Sequence, residues 1–302
     1  MKPTLLVMAA GMASRYGTLK PIDKIGPSGE TIIDYSVYDA LRAGFGNVVF
    51  VIRREIEQVF QEVIIDKLKD HVYIDCVFQE LTEVPQDTFI SKDRVKPWGT
   101  AHAIWVANEK INSPFLVINA DDFYGFHSFK KAAEFLSQRT DEENSYCNIG
   151  YILKNTLSDH GYVSRGELLV NDENMMTGAF ERTHIKNSEQ GAYYQDEDGG
   201  IIPIDENTVV SMNMWGFTPT IFNFLETQFN DFIKENALNP KTEFVIPNVI
   251  NQLINDDKIR VKVISSQERW FGLTYPEDRA RVKERIAQIV ESGSYPGSLW
   301  KR

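Results

Sequence analysis

Along the first half of the chain, hydrophobic and polar positions switch between two periods. Leu5, Leu6, Val7 and Met8 form a short apolar run that stops at small residues, the pattern of a buried strand. Val48, Val49, Phe50, Val51 and Ile52 mark a second strand across residues 47–53. Ile56, Val59, Phe60, Val63 and Ile64 then recur at helical spacing, giving a helix with one apolar stripe. Residues 72–78 alternate like a strand and, after a polar loop, residues 100–110 read as a helix. Residues 115–120 are another buried strand and 128–137 another helix. This βαβα order predicts an α/β fold with a mostly parallel central sheet and helices on both faces. In such sheets ligands sit beyond the carboxyl ends of the strands. The loop over residues 9–20 and the residues after Ala120 both belong there.

The second half is less regular. Residues 146–153, 161–170, 176–183 and 209–217 read as strands, with a polar stretch rich in Gly and Asp over 187–200. Helices are expected near 220–235 and 245–255, then a strand over 259–264. A final helix begins after Pro276, with Glu277 and Asp278 in its first turn, where acids complement the helix dipole. Its apolar stripe is Val282, Ile286, Ile289 and Val290. No internal repeat is present, including the hexapeptide period of a β-helix, and no linker stands out, so one domain spanning 1–302 is expected.

Composition narrows the class. A chain of 302 residues can bury a sizeable core, and 42% hydrophobic with 25% charged content is that of a soluble globular protein. The net charge of −11 argues against a nucleic-acid or anionic-membrane partner, but not against a nucleotide site with a few local cations. Cys76 and Cys147 lie far apart and fit no metal spacing; they read as reduced core thiols of a cytoplasmic protein. The apolar start is too short for a signal segment, and no run approaches membrane-spanning length.

Three segments carry chemistry. Residues 8–21, MAAGMASRYGTLKP, follow the first strand with small residues, then Arg15 and Lys20. Small residues let backbone N–H groups approach an anion, and the two cations can hold phosphate oxygens. The loop is neither a Walker loop nor a Gly-x-Gly-x-x-Gly turn; the plainer reading is a tight turn with two surface cations. Residues 116–125, LVINADDFYG, place Asp121 and Asp122 just after a buried strand, where a hard cation can bind a carboxylate; a helix N-cap is the alternative. Residues 96–103, KPWGTAHA, preceded by Gln79 and Glu80, open a helix at Gly99 and Thr100. Thr100 also suits a plain N-cap, and His102 reads as a packed or solvated helix residue, since no partner stands at ligand spacing.

On these segments the chain resembles the sugar-1-phosphate nucleotidyltransferases, the NDP-sugar pyrophosphorylases. The short spacing from Arg15 to Lys20 is similar to that of the compact, molybdopterin-cytidylyltransferase-type branch. The resemblance runs from Thr4 to about Asp278 and implies a Rossmann-like three-layer α/β/α fold with a sugar-binding β insertion. It divides the chain into a nucleotide-binding half (1–145), a sugar-binding half (146–275) and a C-terminal helix and tail (276–302). The implied reaction is NTP plus sugar 1-phosphate giving NDP-sugar and pyrophosphate, with Mg²⁺ as cofactor and a pyrimidine NTP, UTP foremost. By the same resemblance Arg15 holds the leaving pyrophosphate and Lys20 lies nearest the α-phosphate. Ala9, Ala10 and Gly11 line the nucleotide, Gln79 reads a pyrimidine edge, and Gly99 and Thr100 sit beside base and ribose. Asp121 holds the metal. Gly161, Glu181, Arg182 and Asn213 match the sugar-phosphate series, with Arg182 where many members have Lys. Thr274 stands where a second metal ligand, usually an acid or amide, is expected.

Rival readings differ in acceptor or class. A CTP-dependent enzyme acting on phosphocholine or another alcohol phosphate would use Trp98, Trp215 and Trp270 to cage a quaternary ammonium. A non-catalytic homologue would bind NDP-sugar and regulate a partner. A glycosyltransferase would not need the Arg15/Lys20 pair, and a dinucleotide-dependent reductase would need more glycines in the first loop.

Overall fold

The computed structural model describes residues 2–13, 23–158, 161–188, 191–196, 198–273 and 278–300. Arg15, Lys20 and Thr274 lie outside the described residues.

Strand β1 (Thr4–Met8) runs into a single turn at Ala10–Ala13; helix α1 (Ile32–Ala43) then leads to β2 (Asn47–Ile52). Helices α2 (Glu57–Phe60) and α3 (Asp66–Leu68) flank a wide turn at Gln61–Ile65 and precede β3 (Tyr73–Phe78). Next come α4 (Thr100–Trp105), β4 (Phe115–Asn119), the short β5 (Asp122–Phe123) and α5 (Phe126–Leu136). The later half supplies β6 (Ser145–Ile152), β7 (Val163–Val170), β8 (Met176–Ile185), β9 (Tyr193–Gln195), β10 (Ile201–Pro203) and β11 (Val209–Phe217). It ends in α6 (Ile221–Asn236), α7 (Ile246–Asn255), β12 (Arg260–Ser266), β13 (Phe271–Gly272) and α8 (Asp278–Glu291).

The expected mostly parallel central sheet is present. Its main path runs β12-β6-β11-β4-β1-β2-β3, and β7 and β8 branch from β11. The β3–β2–β1–β4 group is parallel throughout, as is the β12–β6 pair; β11 alone on this path is reversed. Alternation along β1 explains the layers. Leu5 and Val7 enter a core with α1, α5 and the 56–68 helical run, whereas Leu6 enters a core on the other face with α4, α6 and α7. A third cluster joins Ile25, Tyr35, Phe123 and Phe271 to α8 and the tail residues Tyr295 and Leu299.

Several elements depart from the pattern reading. The helix expected over 100–110 stops at Trp105, because Ala107 N bonds Ile104 O and tightens the chain into a separate turn at Asn108–Lys110. The polar stretch 187–200 holds the first strand of the small β9–β10 hairpin, bridged to Lys186 through Tyr193. Helix α1 is set by a capping box, in which Thr31 Oγ1 accepts from Asp34 N and the Asp34 carboxylate accepts from Thr31 N. Gly44 ends it in the left-handed region (φ 105°).

Candidate functional site

Register places the candidate residues at one edge of the sheet. Met8 of β1 stands opposite Asn119 of the parallel β4, and Ala120 N donates to Met8 O at 3.1 Å. Ala9 N donates to Val51 O of β2 at 2.8 Å. The loop that begins at Ala9, Ala10 and Gly11 and the carboxylate of Asp121 therefore leave neighbouring strands at the same level, beyond their carboxyl ends. Ala9 and Ala10 are buried and Gly11 is exposed.

Gln79 follows β3 at the same edge, and the 19-residue excursion between it and Gly99 folds back so that the two meet. Gln79 Nε2 donates to Gly99 O at 2.9 Å and to His102 Nδ1 at 3.2 Å. The excursion is pinned by Arg94, whose guanidinium donates to the carbonyls of Pro97, Asn239 and Thr242, and by Trp98 Nε1, which donates to Leu81 O. Thr100 is not the N-cap of α4. Gly99 takes that position, and Thr100 Oγ1 instead accepts from Ile246 N at 3.1 Å, tying α4 to α7. His102 is a buried core residue without metal-ligand partners among the described residues.

Asp121 is likewise no helix N-cap. Strand β5 intervenes, and α5 begins only after Gly125. Asp121 and Asp122 line an open cleft of about 240 Å³ with Arg165, Glu181, Ser211, Asn213, Trp215 and Trp270. Strands β4, β7, β8 and β11 thus contribute chemistry to one space. Asp122 is buried, and its Oδ2 accepts from Asn119 Nδ2 (2.8 Å). Burial first, and the Asp121 charge second, push its carboxyl up to about 7. Two vicinal carboxylates that repel each other form a donor set for a hard divalent cation, which would relieve that repulsion. The residues therefore fit the Mg²⁺ that the resemblance implies, although no group of three His, Cys, Asp or Glu side chains suited to a metal occurs among the described residues. Leu273 N donates to Asp121 O at 3.1 Å, and Gly272 pairs with Asp122, so the chain just before residue 274 runs beside the two carboxylates.

Asn213 reaches the cleft through a break in β11. Its φ is 58°, the ladder shifts register between Ser211 and Trp215, and Ser211 Oγ accepts from Asn213 N and from Asn148 Nδ2. Glu181 is exposed as a residue, but partial desolvation of its carboxyl by the cleft walls raises it above its usual value, with the Arg165 guanidinium opposing it. Arg182, the next residue on β8, faces the other way by strand alternation. Its Nε donates to Glu167 at 2.7 Å and its guanidinium lies over Tyr194, so it is not among the cleft residues. Gly161 stands in the loop before β7, also outside that lining.

Among the described residues the cation that lines the cleft is Arg165, which belongs to none of the sequence motifs. It is buried on β7, donates to Thr156 Oγ1 and to the carbonyls of Thr156 and Ser164, and covers the Trp270 ring at 4.6 Å. Burial lowers its pKa to about 10, while Asp122 and Glu181 pull the other way. The available signal was its place two residues after Val163, on the same face of a strand. Trp215 and Trp270 also line the cleft, and their buried indole N–H groups have no acceptor among the described residues.

A family model described as nucleotidyl transferase matches residues 6–278. The chain belongs to the nucleotidyl transferase family. A search of curated protein sequences found no match. Among solved structures, an inositol-1-phosphate CTP transferase from T. maritima is 14% identical, over 96% of this chain and 97% of that one, with a TM-score of 0.63. A UDP-glucose pyrophosphorylase complexed with UDP-glucose is 17% identical, over 95% and 99%, with a TM-score of 0.56. A putative glucose-1-phosphate thymidylyltransferase from Bacillus anthracis is 12% identical, over 94% of each chain, with a TM-score of 0.60. At these identities the neighbours establish the shared Rossmann-like fold of this transferase. No helix among the described residues is long and apolar enough to cross a membrane.

Proposed function

We propose that this nucleotidyltransferase moves a nucleotidyl group from a pyrimidine NTP, UTP foremost, onto a sugar 1-phosphate, releasing pyrophosphate. The observation that carries the reading is the convergence of four strands on the cleft holding Asp121, Glu181 and Asn213, beside the strand end from which the Ala9–Gly11 loop departs. The reaction joins two anions, so the chemistry asked of the protein is charge neutralisation and alignment rather than a covalent intermediate. Asp121, with Asp122 beside it, would hold Mg²⁺, which when bound neutralises phosphate charge. Arg15 and Lys20 meet the triphosphate, Lys20 at the α-phosphate and Arg15 at the departing pyrophosphate. Glu181 and Asn213 suit sugar hydroxyls, since a carboxylate accepts hydrogen bonds from two hydroxyls and an amide both donates and accepts. We take the chain as one catalytic domain working on soluble substrates in the cytoplasm.

A phosphocholine acceptor is less well served. A quaternary ammonium needs open aromatic faces. The Trp98 ring is fully buried under the Arg94 guanidinium at 3.4 Å, that of Trp215 is buried and stacked on Phe217, and that of Trp270 is covered by Arg165.

The test is pyrophosphate release with Mg²⁺, each NTP in turn, and separate pools of sugar 1-phosphates and alcohol phosphates including phosphocholine. Release that depends on a pyrimidine NTP and the sugar pool, and falls about 10²- to 10³-fold in Lys20→Ala, is expected. Release only with the alcohol phosphates would replace the acceptor. NDP-sugar binding without turnover would favour the regulatory reading.

A further inference from the structure

His102 sits on α4 behind Gln79, fully buried, and its two ring nitrogens have fixed duties. Nε2 lies 2.7 Å from Glu83 O. A carbonyl oxygen only accepts, so Nε2 carries the ring proton and Nδ1 is a bare acceptor. The group 3.2 Å from Nδ1 must then donate, which assigns it as the Nε2 amide of Gln79 rather than the Oε1. Gly99 O, 2.9 Å from the same amide nitrogen, requires a donor independently. Both amide protons of Gln79 are thereby consumed, and Oε1, which accepts from no described residue and is not among the sealed polar atoms, is the only group left for a ligand. Burial pushes the His102 pKa down to about 4, so the ring stays neutral and the assignment holds across the physiological range.

We propose that His102 is a specificity-determining positioning residue: it pins the Gln79 amide so that only a hydrogen-bond acceptor faces the nucleotide base. This rests on the reading of Gln79 as the base contact. Uracil and cytosine differ chiefly by inversion of donor and acceptor, since uracil has N3–H and O4 where cytosine has a bare N3 and an N4 amino group. Flipping a glutamine amide makes the same inversion. A freely turning Gln79 would serve both bases, whereas a pinned one rejects the base that presents an acceptor to Oε1. The choice of uracil follows from contact at N3, where Oε1 accepts from N3–H; at position 4 the same oxygen would accept from the N4 amino group of cytosine.

The experiment measures kcat/KM for UTP and for CTP, together with equilibrium binding of each nucleotide, in the wild-type protein and in His102→Leu, His102→Asn and Gln79→Ala. Leu removes the acceptor at Nδ1 but leaves Gly99 O, so the UTP-over-CTP ratio should fall about 5- to 10-fold, the effect of one hydrogen bond. The KM of the acceptor phosphate should not change. Asn carries an amide oxygen near the Nδ1 position and should keep the ratio. Gln79→Ala should abolish it. A ratio unaltered in His102→Leu but abolished in Gln79→Ala would overturn the pinning and leave the base contact standing. A ratio unaltered in Gln79→Ala would overturn the base contact and the pinning with it. If turnover is absent, the same comparison is read from binding, and equal affinities of all four proteins for UTP and CTP overturn the proposal. Melting temperatures identify any loss due to unfolding, which would lower both nucleotides' values and leave their ratio.

Discussion

Replacing Gly99 by alanine should damage both the stability of the fold and the nucleotide side of the site. Gly99 has φ 112° and ψ −179°, a region populated almost only by glycine, and holding another residue there costs on the order of 1–3 kcal/mol. A Cβ at this position would press into the carbonyl oxygen of Phe244 and lie 2.9 Å from both its carbonyl carbon and its nitrogen. That obstacle is backbone, so it cannot rotate away. It is also held in place, since Phe244 O accepts from Ala101 N at 3.0 Å and Phe244 N donates to Trp98 O at 2.6 Å. Relieving the clash means parting these two bonds, at about 1 kcal/mol each. The total, about 3–5 kcal/mol, is a large fraction of the stability of an ordinary domain. Because Gly99 O also accepts from Gln79, its displacement should raise the KM for the NTP. Urea unfolding of Gly99→Ala beside Gly297→Ala, where a Cβ meets nothing within 4 Å, isolates the effect. A loss below about 1 kcal/mol would refute the steric argument. A full loss of stability with an unchanged KM for the NTP would refute the link to the site.

Asp121→Asn should lower turnover at saturating Mg²⁺ by about 10²-fold or more, and near-wild-type turnover would remove Asp121 from metal binding. Glu181→Ala should raise the KM for the sugar 1-phosphate about 10- to 100-fold and spare that of the NTP, whereas Arg182→Ala, which loses contacts to Glu167 and Tyr194 outside the cleft, should change either KM less than about threefold; steady-state kinetics separate the two. Asp39 gives a pH signature. Burial lifts its carboxyl to about 7 despite the hydrogen bond from Tyr295 Oη at 2.6 Å and the nearby Arg42. The unfolded chain releases this proton near 4 and the folded one near 7, so folding loses stability as pH rises between those values, by on the order of 4 kcal/mol at most. Asp39→Asn should therefore gain on the wild-type protein as pH rises from 4 to 7 and hold that gain above it; a melting-temperature difference that does not vary with pH would contradict this.

Much of the sheet was legible because buried parallel strands are continuous apolar runs. β2 and β4 lie within a residue of where Val48–Ile52 and Phe115–Ala120 put them, and β11 matches the 209–217 run. Asp121 could be found from position alone, as an acid directly after such a run. What could not be read was set by contacts distant in sequence. Thr100 looks like a cap until α7 supplies Ile246 N. Arg182 follows Glu181 in sequence, but neighbours on a strand face opposite ways, and its guanidinium is taken up by Glu167 and the Tyr194 ring. Arg165 is marked locally only by its place two residues after Val163; its role depends on Thr156, Ser164 and Trp270 gathering around it. The left-handed turn at Asn213 follows from the register shift of β11, which no spacing rule anticipates.

The central claim is attack by the phosphate of a sugar 1-phosphate on the α-phosphorus of an NTP. Its most direct test uses sugar 1-phosphate carrying heavy oxygen in the phosphate, incubated with the protein, Mg²⁺ and UTP, with the products weighed by mass spectrometry. The account predicts that the label appears in an NDP-sugar and that the released pyrophosphate carries none. Label in the pyrophosphate, or nucleotide consumption without an NDP-sugar, would contradict it.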